Sequence, residues 1–266
     1  MSNSPATDTV GRFDGLANVY DRHRPNYPAT AIAHIWQRCQ LHPGMLLVDI
    51  GSGTGISARQ FAAAGLRVIG VEPNVDMRRA AEAAPLAPDA PPIEFRDGFA
   101  DATRLTSSFV DVVLAAQAFH WFATDAALRE FYRILKPGGW IVLVWNEQDR
   151  NNPFTDEYMQ AMIRHSPQPA IAAQVNSREG AKLLRCPLFR NAQRIEFPNS
   201  QELAYEHLLG RACSASYAPR EPQACRQLEA DLISAFTRFR RENNKVILHY
   251  RCVVITACRP ARPGQH

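Results

Sequence analysis

A glycine-rich turn that directly follows an apolar run constrains the fold of this chain more than any other feature. The run Met-Leu-Leu-Val at residues 45–48 is followed at residues 49–55 by Asp-Ile-Gly-Ser-Gly-Thr-Gly, which predicts a strand, a tight turn and the start of a helix. A second apolar run at residues 66–71 ends on Glu72, where folds of this kind place a carboxylate that accepts hydrogen bonds from a ribose. Turn and acid together indicate a loop that binds a nucleotide-type cofactor.

Short runs of Val, Ile and Leu alternate with longer amphipathic segments along the chain, a pattern typical of a mostly parallel sheet covered by helices. The predicted strands lie near residues 45–50, 67–71, 92–95, 110–115, 140–145, 194–197 and 246–255. The predicted helices lie at residues 28–40, 55–64, 74–84 and 125–135, the last with Thr124 or Asp125 as its N-cap. The fold class predicted from this pattern is α/β.

The composition argues against several classes of protein. The chain has 266 residues, of which 46% are hydrophobic, and no apolar run approaches the roughly 18 residues of a membrane-spanning helix. Residues 1–9 are polar and lack a signal-peptide pattern, so we expect no membrane partner and a cytoplasmic location. The net charge of +4 is small and the six cysteines lie far apart, so we expect neither a nucleic-acid partner nor a metal site.

The spacing of the glycines bears on which cofactor the loop binds. Dinucleotide-binding folds use Gly-x-Gly-x-x-Gly, whereas this chain has Gly51-x-Gly53-x-Gly55. Asp49 stands just ahead of the first glycine, where a carboxylate would repel a pyrophosphate but attract an ammonium group. S-adenosylmethionine carries an ammonium, a carboxylate and a sulfonium and no phosphate, so these residues favour it over NAD.

Three further motifs carry a resemblance to a known family. They are Val-Glu-Pro-Asn at residues 71–74, Gly-Phe-Ala-Asp at 98–101 and Leu-Lys-Pro-Gly-Gly at 135–139. With the glycine turn, they make the chain similar to class I S-adenosylmethionine-dependent methyltransferases, although Asp101 stands where the family more often has Glu. Residues 20–28 and 117–122 resemble the small-molecule subgroup that includes trans-aconitate and farnesoate methyltransferase-like proteins.

The resemblance implies the architecture of the whole chain. We expect a Rossmann-like, seven-stranded, mostly parallel sheet with helices on both faces, N-terminal helices and a helical cap inserted before the last strands. The regions we predict are N-terminal helices over the cofactor at residues 1–40, the S-adenosylmethionine-binding core at 41–150, the cap at 151–190 and the completion of the sheet, with substrate-side elements, at 191–266.

The resemblance also implies which residues bind the cofactor. Glu72 would accept hydrogen bonds from the ribose hydroxyls, Gln117 would face the methionine part or the reacting methyl group, and Arg24 with Tyr20 would close over the cofactor carboxylate. The predicted cofactor-binding residues are Tyr20, Arg24, Asp49, Gly51, Gly53, Glu72, Pro73, Asn74, Gly98, Phe99, Ala100 and Gln117.

Candidate acceptor-binding residues follow the later strands. His120 and Trp121 come directly after the fourth strand, at the edge where open α/β sheets bind ligands. His120 is a candidate general base for a hydroxyl or amine acceptor; the alternative is a histidine that bonds the backbone and orders its loop. Trp145, Arg211 and Tyr217 are candidates for the acceptor pocket, with a core position or a capping loop as the alternatives.

The predicted reaction is in-line methyl transfer to an oxygen or nitrogen of a small molecule, governed by positioning. A carboxylate acceptor would use a cation such as Arg22, Arg24 or Arg211, whereas an amine or hydroxyl would use His120. One alternative is a nicotinamide-dependent oxidoreductase, which the glycine spacing disfavours; another is a binding protein that holds S-adenosylmethionine without methyl transfer, or with a different reaction. A monomer and a homodimer both remain open.

Overall fold

The central strands are buried on both faces, which explains why their sequences are continuous apolar runs. The computed structural model describes residues 23–261, and within this range seven strands form one sheet in the order β3-β2-β1-β4-β5-β7-β6. The strands are β1 (Leu46–Ile50), β2 (Arg67–Val71), β3 (Ile93–Arg96), β4 (Val110–Ala116), β5 (Leu135–Gln148), β6 (Arg190–Leu203) and β7 (Val246–Cys258). Strand β7 runs antiparallel to β5 and β6, and the other pairs are parallel. The predicted Rossmann-like sheet is confirmed.

Helices cover both faces of the sheet. They are α1 (Ala29–Arg38), α2 (Ile56–Ala63), α3 (Val75–Ala83), α4 (Asp125–Ile134), α5 (Pro153–His165), α6 (Pro169–Ala172), α7 (Ala181–Leu184), α8 (Tyr205–Cys213) and α9 (Pro222–Phe239). Helices α1 and α2 share one apolar cluster with the sheet, and α4 and α7 share the cluster on the opposite face. The N-cap of α4 is Thr124, whose side chain accepts the Ala127 N–H at 3.1 Å.

Strand β5 begins at Leu135, five residues before the predicted strand. The register against β4 shifts between the Val110–Leu135 and Val112–Trp140 pairs, so residues 136–139 form a bulge within the strand. The bulge stays in the sheet because the Gly138 N–H and the Gly139 carbonyl both hydrogen-bond the backbone of Arg259.

A third apolar cluster lies beyond the sheet and joins α5, α8, α9 and the first residues of β7. These helices come from two of the four predicted regions, 151–190 and 191–266, because α8 and α9 lie between β6 and β7. The cluster positions α8 beside the carboxyl edge of β1 and β4, since Arg211 on this helix lines the same cavity as the residues that follow those strands. No helix within residues 23–261 is long and apolar enough to cross a membrane.

Candidate active site

A cavity of about 550 Å³ lies at the carboxyl ends of β1 and β4, where the strand order reverses. Open α/β sheets bind ligands at this position, and the volume falls in the range of about 300–1,000 Å³ of small-molecule sites. The predicted site residues that line the cavity are Arg24, Gly51, Gly53, Glu72, Pro73, Gly98, Phe99, Ala100, Gln117, His120, Trp121 and Arg211.

The other predicted site residues lie outside this lining. Asp49 is buried beneath the glycine turn, and Asn74 caps α3 because its side-chain oxygen accepts a backbone N–H of the first turn at 3.0 Å. Trp145 is fully buried in β5, and Tyr217 lies beside Arg211 without lining the cavity. Tyr20 falls outside the described residues.

The glycine turn forms the wall of the cavity with its backbone. Gly51 has a φ of +69°, and a Cβ at this position would lie 2.8 Å from the Cβ of Ala118. Gly55 has a φ of +80°, and a Cβ there would lie 2.9 Å from the ring of Phe95. Only glycine combines this conformation with so close an approach, so the turn requires the residues that marked it in the sequence.

Glu72 follows β2 and faces the turn. One of its carboxylate oxygens accepts the Gly53 N–H and the other accepts the Asn74 N–H, both at 2.9 Å. Burial raises the pKa of Glu72, while the two backbone N–H groups act in the opposite direction. Each oxygen retains lone-pair capacity beyond its backbone bond, so the carboxylate can accept further hydrogen bonds from a ligand.

Asp49 supports the turn from below. One of its oxygens accepts the Ser57 hydroxyl at 2.5 Å, and burial raises its pKa to about 7, with the charge of Glu72 acting in the same direction and the Ser57 hydrogen bond opposing it. Asp49 does not line the cavity, and its Oδ1 is buried without a hydrogen-bond partner in residues 23–261, so its attraction for an ammonium group stays a prediction.

The segment after β3 forms a tight loop beside Glu72. The loop is closed by an isolated bridge between Phe99 and Ala102, and a Cβ at Gly98 would lie 2.9 Å from the side chain of Val71. Phe99 lines the cavity with 39% of its surface exposed, which leaves an aromatic face available to a flat ligand group.

Gln117 directly follows β4 and has a left-handed conformation, with a φ of +56°. Its N–H donates to the Val144 carbonyl at 2.8 Å, and its side-chain amide donates to the Asn146 carbonyl at 3.0 Å. A non-glycine residue in this conformation costs about 1–3 kcal/mol, which is typical of strain at functional sites. The two bonds to β5 hold the side chain at the cavity wall.

His120 lies in the 3₁₀ turn Phe119–Trp121 with its ring 4.6 Å from that of Trp121. The indole N–H of Trp145 donates to His120 Nδ1 at 3.3 Å. An indole nitrogen only donates, so Nδ1 carries no proton and the neutral ring carries its proton on Nε2. Burial lowers the pKa of His120 to about 3, so the ring is neutral near pH 7. In this tautomer the ring presents its Nε2–H as a donor, and the general-base role of His120 stays a prediction.

Arg211 projects from α8 and is 3% exposed. Its Nε donates to the Tyr250 hydroxyl at 3.4 Å, whereas its Nη1 is buried and has no hydrogen-bond partner among residues 23–261. Its electrostatic neighbours in this range are tyrosines, and none is a carboxylate. A guanidinium is always charged near neutral pH, and a buried charge normally has a counter-ion.

Two tyrosines that were not predicted as site residues lie beside Arg211. Tyr158 on α5 and Tyr250 on β7 are both buried, and the Tyr158 hydroxyl has no hydrogen-bond partner in the described part of the chain. Burial raises the pKa of Tyr158, so its hydroxyl is protonated near pH 7 and can donate a hydrogen bond. Both occupy apolar positions of their elements and give no signal in the sequence other than that of core residues.

Comparison with known proteins identifies the family of this chain. A model of the methyltransferase-domain family matches residues 48–143. A methyltransferase-like protein of Schizosaccharomyces pombe is 30% identical over 205 residues, which are 77% of this chain and 77% of that protein. The chain belongs to the methyltransferase family.

Solved structures of low sequence identity share the fold of this methyltransferase. One, from Anabaena variabilis, is described as a methyltransferase from an antibiotic biosynthesis pathway; its TM-score is 0.63 at 21% identity, over 87% of this chain and 98% of that chain. Another is phosphoethanolamine N-methyltransferase 2 of Haemonchus contortus in complex with S-adenosyl-L-methionine, with a TM-score of 0.55 at 17% identity, over 97% of this chain and 60% of that chain.

S-adenosyl-L-methionine is the cofactor of this methyltransferase, and the chemistry of the cavity fits it. Glu72 offers an acceptor for hydroxyl groups at one end, and Phe99 offers an aromatic face beside it. Arg24 and Arg211 bring cationic side chains to the same cavity, where an anionic ligand group would be stabilised. The family membership argues against the predicted oxidoreductase alternative.

Proposed function

We propose that this methyltransferase acts on a small acceptor that carries a carboxylate, and that it methylates a carboxylate oxygen. The main support for this proposal is the environment of Arg211. Its guanidinium is buried, lines the cofactor cavity and has an unpartnered Nη1, and no carboxylate in residues 23–261 neutralises it. An unpaired buried charge costs several kcal/mol, so an anionic ligand group is expected to complete the site.

Two arginines serve two anionic groups in this proposal. Arg24 donates from Nη2 to the Ser214 carbonyl at 3.1 Å, and the Ser214 hydroxyl donates to the Arg211 carbonyl at 2.8 Å, so Ser214 connects the two residues. We assign Arg24 to the carboxylate of the cofactor, as predicted from the sequence, and Arg211 to the carboxylate of the acceptor.

The protonation state of His120 supports a carboxylate over a hydroxyl or an amine. A carboxylate oxygen is already a nucleophile and needs no base, whereas a hydroxyl or an ammonium must lose a proton. Since Nδ1 of His120 is occupied by Trp145 and Nε2 carries the proton, this side chain would donate a hydrogen bond to the acceptor and would not take a proton from it. Trp145 thus becomes a positioning residue for His120.

The remaining contribution of the chain is positioning and exclusion of water. S-adenosyl-L-methionine supplies an electrophilic methyl group on its sulfonium. Gln117, His120 and Trp121 line the same part of the wall, and Phe122 adds an apolar ring next to them. Holding the acceptor oxygen in line with the methyl group in a dry site can supply several kcal/mol of the barrier. The predicted cytoplasmic location, the absence of a nucleic-acid partner and the monomeric or homodimeric state remain predictions.

The proposal is tested with a panel of small acids, amines and phenols incubated with methyl-labelled cofactor. We expect base-labile methyl esters from an acid and no product from the amines. Arg211→Gln should raise the acceptor KM by about 10- to 150-fold, because a charged hydrogen bond contributes about 1.5–3 kcal/mol, and should leave S-adenosylhomocysteine affinity within about twofold. The matched control is Arg226→Gln on α9, since Arg226 is exposed. Loss of cofactor affinity in Arg211→Gln, or methylation of amines, would contradict the assignment.

A further inference from the structure

A second cavity, of about 240 Å³, lies beside the carboxyl ends of β4 and β5 and is not explained by the methyl-transfer reaction. It extends from the last residues of β5 to Met159 on α5 and to residues 172–176, which begin with the last residue of α6. The residues with carboxamide side chains that line it are Gln117, Asn146, Gln148, Asn151, Gln174 and Asn176. The cavity is therefore polar, and its size suits a small polar molecule.

Glu147 is the buried charge of this second cavity. Its side chain lines the cavity and the residue is 9% exposed. One carboxylate oxygen accepts the Ser177 N–H at 2.7 Å, whereas Oε2 is buried and has no hydrogen-bond partner among residues 23–261. A buried carboxylate oxygen without a partner costs free energy that a cationic ligand group would recover.

Neither arginine that lines the second cavity forms an ion pair with Glu147, although Arg251 is its register partner on β7. Arg150 forms an ion pair with Asp156 at 2.6 Å, and Arg251 forms one with Glu196 at 3.6 Å. Asp149 adds a second carboxylate to the lining, and it lies 4.0 Å from Arg251. The charge that remains without a partner in the described part of this cavity is the negative charge of Glu147.

We propose that the second cavity binds the ammonium group of a small polar amine, with Glu147 Oε2 as its counter-ion. An ammonium group has three N–H donors, and the carboxamide oxygens of the lining offer further acceptors beside the carboxylate. A divalent metal ion fits less well, because hard cations take about six or more oxygen ligands and no cluster of three His, Cys, Asp or Glu side chains occurs in residues 23–261.

Gln117 places the second cavity next to the methyl-transfer site. Gln117 lines both cavities, and its side-chain amide donates to the Asn146 carbonyl. Glu147 lines only the second cavity, so we expect the amine and the cofactor to occupy the protein together. Binding of the amine depends on Glu147 and not on Arg211, so it is independent of the proposed carboxylate acceptor.

The test is titration calorimetry on the full-length protein saturated with S-adenosylhomocysteine. The probes are ethanolamine and 1,4-diaminobutane, and the neutral controls are ethylene glycol and 1,4-butanediol. The variant is Glu147→Gln, which keeps an acceptor for the Ser177 N–H and removes the charge. Its matched control is Glu202→Gln, a partly exposed carboxylate paired with Lys245 at the far end of β6.

We expect at least one amine to bind wild type and Glu202→Gln, with affinity at least tenfold weaker for Glu147→Gln and no measurable binding of the diols. Equal affinity of wild type and Glu147→Gln, or equal binding of amine and diol, would overturn the assignment. Displacement of the amine by millimolar Ca²⁺ or Mg²⁺ would assign the cavity to a metal ion instead. Competition between the amine and S-adenosylhomocysteine, or methylation of the amine, would show that it occupies the methyl-transfer cavity.

Discussion

Replacing Glu72 by Gln tests the proposed ribose contact most sharply. In the wild type both carboxylate oxygens accept a backbone N–H at 2.9 Å, from Gly53 and Asn74, and both keep capacity for a ligand hydroxyl. A glutamine has one acceptor oxygen and one amide that only donates. Its amide would therefore face one of the two N–H donors, and the residue would lose the negative charge that strengthens its hydrogen bonds.

The magnitude follows from this hydrogen-bond count. A hydrogen bond to a charged group contributes about 1.5–3 kcal/mol, so Glu72→Gln should weaken S-adenosylhomocysteine binding by about 10- to 150-fold. The unsatisfied buried N–H should also lower the free energy of unfolding by about 1–3 kcal/mol. Calorimetric titration measures the first effect, and urea unfolding without ligand measures the second.

Glu94→Gln is the matched control for Glu72→Gln. Glu94 lies on the adjacent strand β3, is exposed and is paired with Arg96 at 2.6 Å, so its replacement should change neither quantity by a measurable amount. If Glu72→Gln binds S-adenosylhomocysteine as tightly as the wild type, Glu72 does not contact the ribose and the orientation of the cofactor in the cavity is wrong.

Two further predictions concern Trp145 and Asp49. Trp145→Phe removes the N–H that fixes the His120 tautomer, so kcat/KM for the acceptor should fall about 2- to 10-fold, while the control Trp140→Phe on the same strand should leave it unchanged. Imidazole ¹⁵N chemical shifts should show the Nε2-protonated form in the wild type and mixed tautomers in Trp145→Phe. A single tautomer in both proteins would contradict the positioning role of Trp145. Burial raises the pKa of Asp49 to about 7, so between about pH 4 and 7 the folded state holds a proton that the unfolded chain has released, and stability without ligand should fall as the pH rises through this window. Asp49→Asn should flatten that slope by up to about 1.4 kcal/mol per pH unit in urea unfolding, and an unchanged slope would refute the pKa assignment.

The features predicted well from the sequence are those fixed by neighbouring residues. The glycine turn requires glycine at Gly51 and Gly55 for steric reasons that act within one strand-turn-helix unit, and Glu72 follows directly from the end of the next strand. The buried strands β1 and β2 are continuous apolar runs, so their positions were predicted to within one or two residues.

The features that were missed depend on contacts between distant parts of the chain. Strand β6 was predicted over four residues and spans Arg190–Leu203, because an exposed edge strand carries polar residues that give little apolar signal. The pairing of Trp145 with His120 arises only because β4 and β5 are neighbours in the sheet. The burial of Arg211 likewise depends on the packing of α8 against the helical cluster, which the sequence around it does not encode.

The most direct test of the carboxylate proposal is a crystal structure with S-adenosylhomocysteine and the acid that the acceptor panel identifies. We expect an acceptor carboxylate oxygen within hydrogen-bond distance of Arg211 Nη1, with the carboxylate of S-adenosylhomocysteine on Arg24. A structure in which the carboxylate of S-adenosylhomocysteine itself occupies Arg211, or in which Arg211 contacts neither ligand, would contradict it.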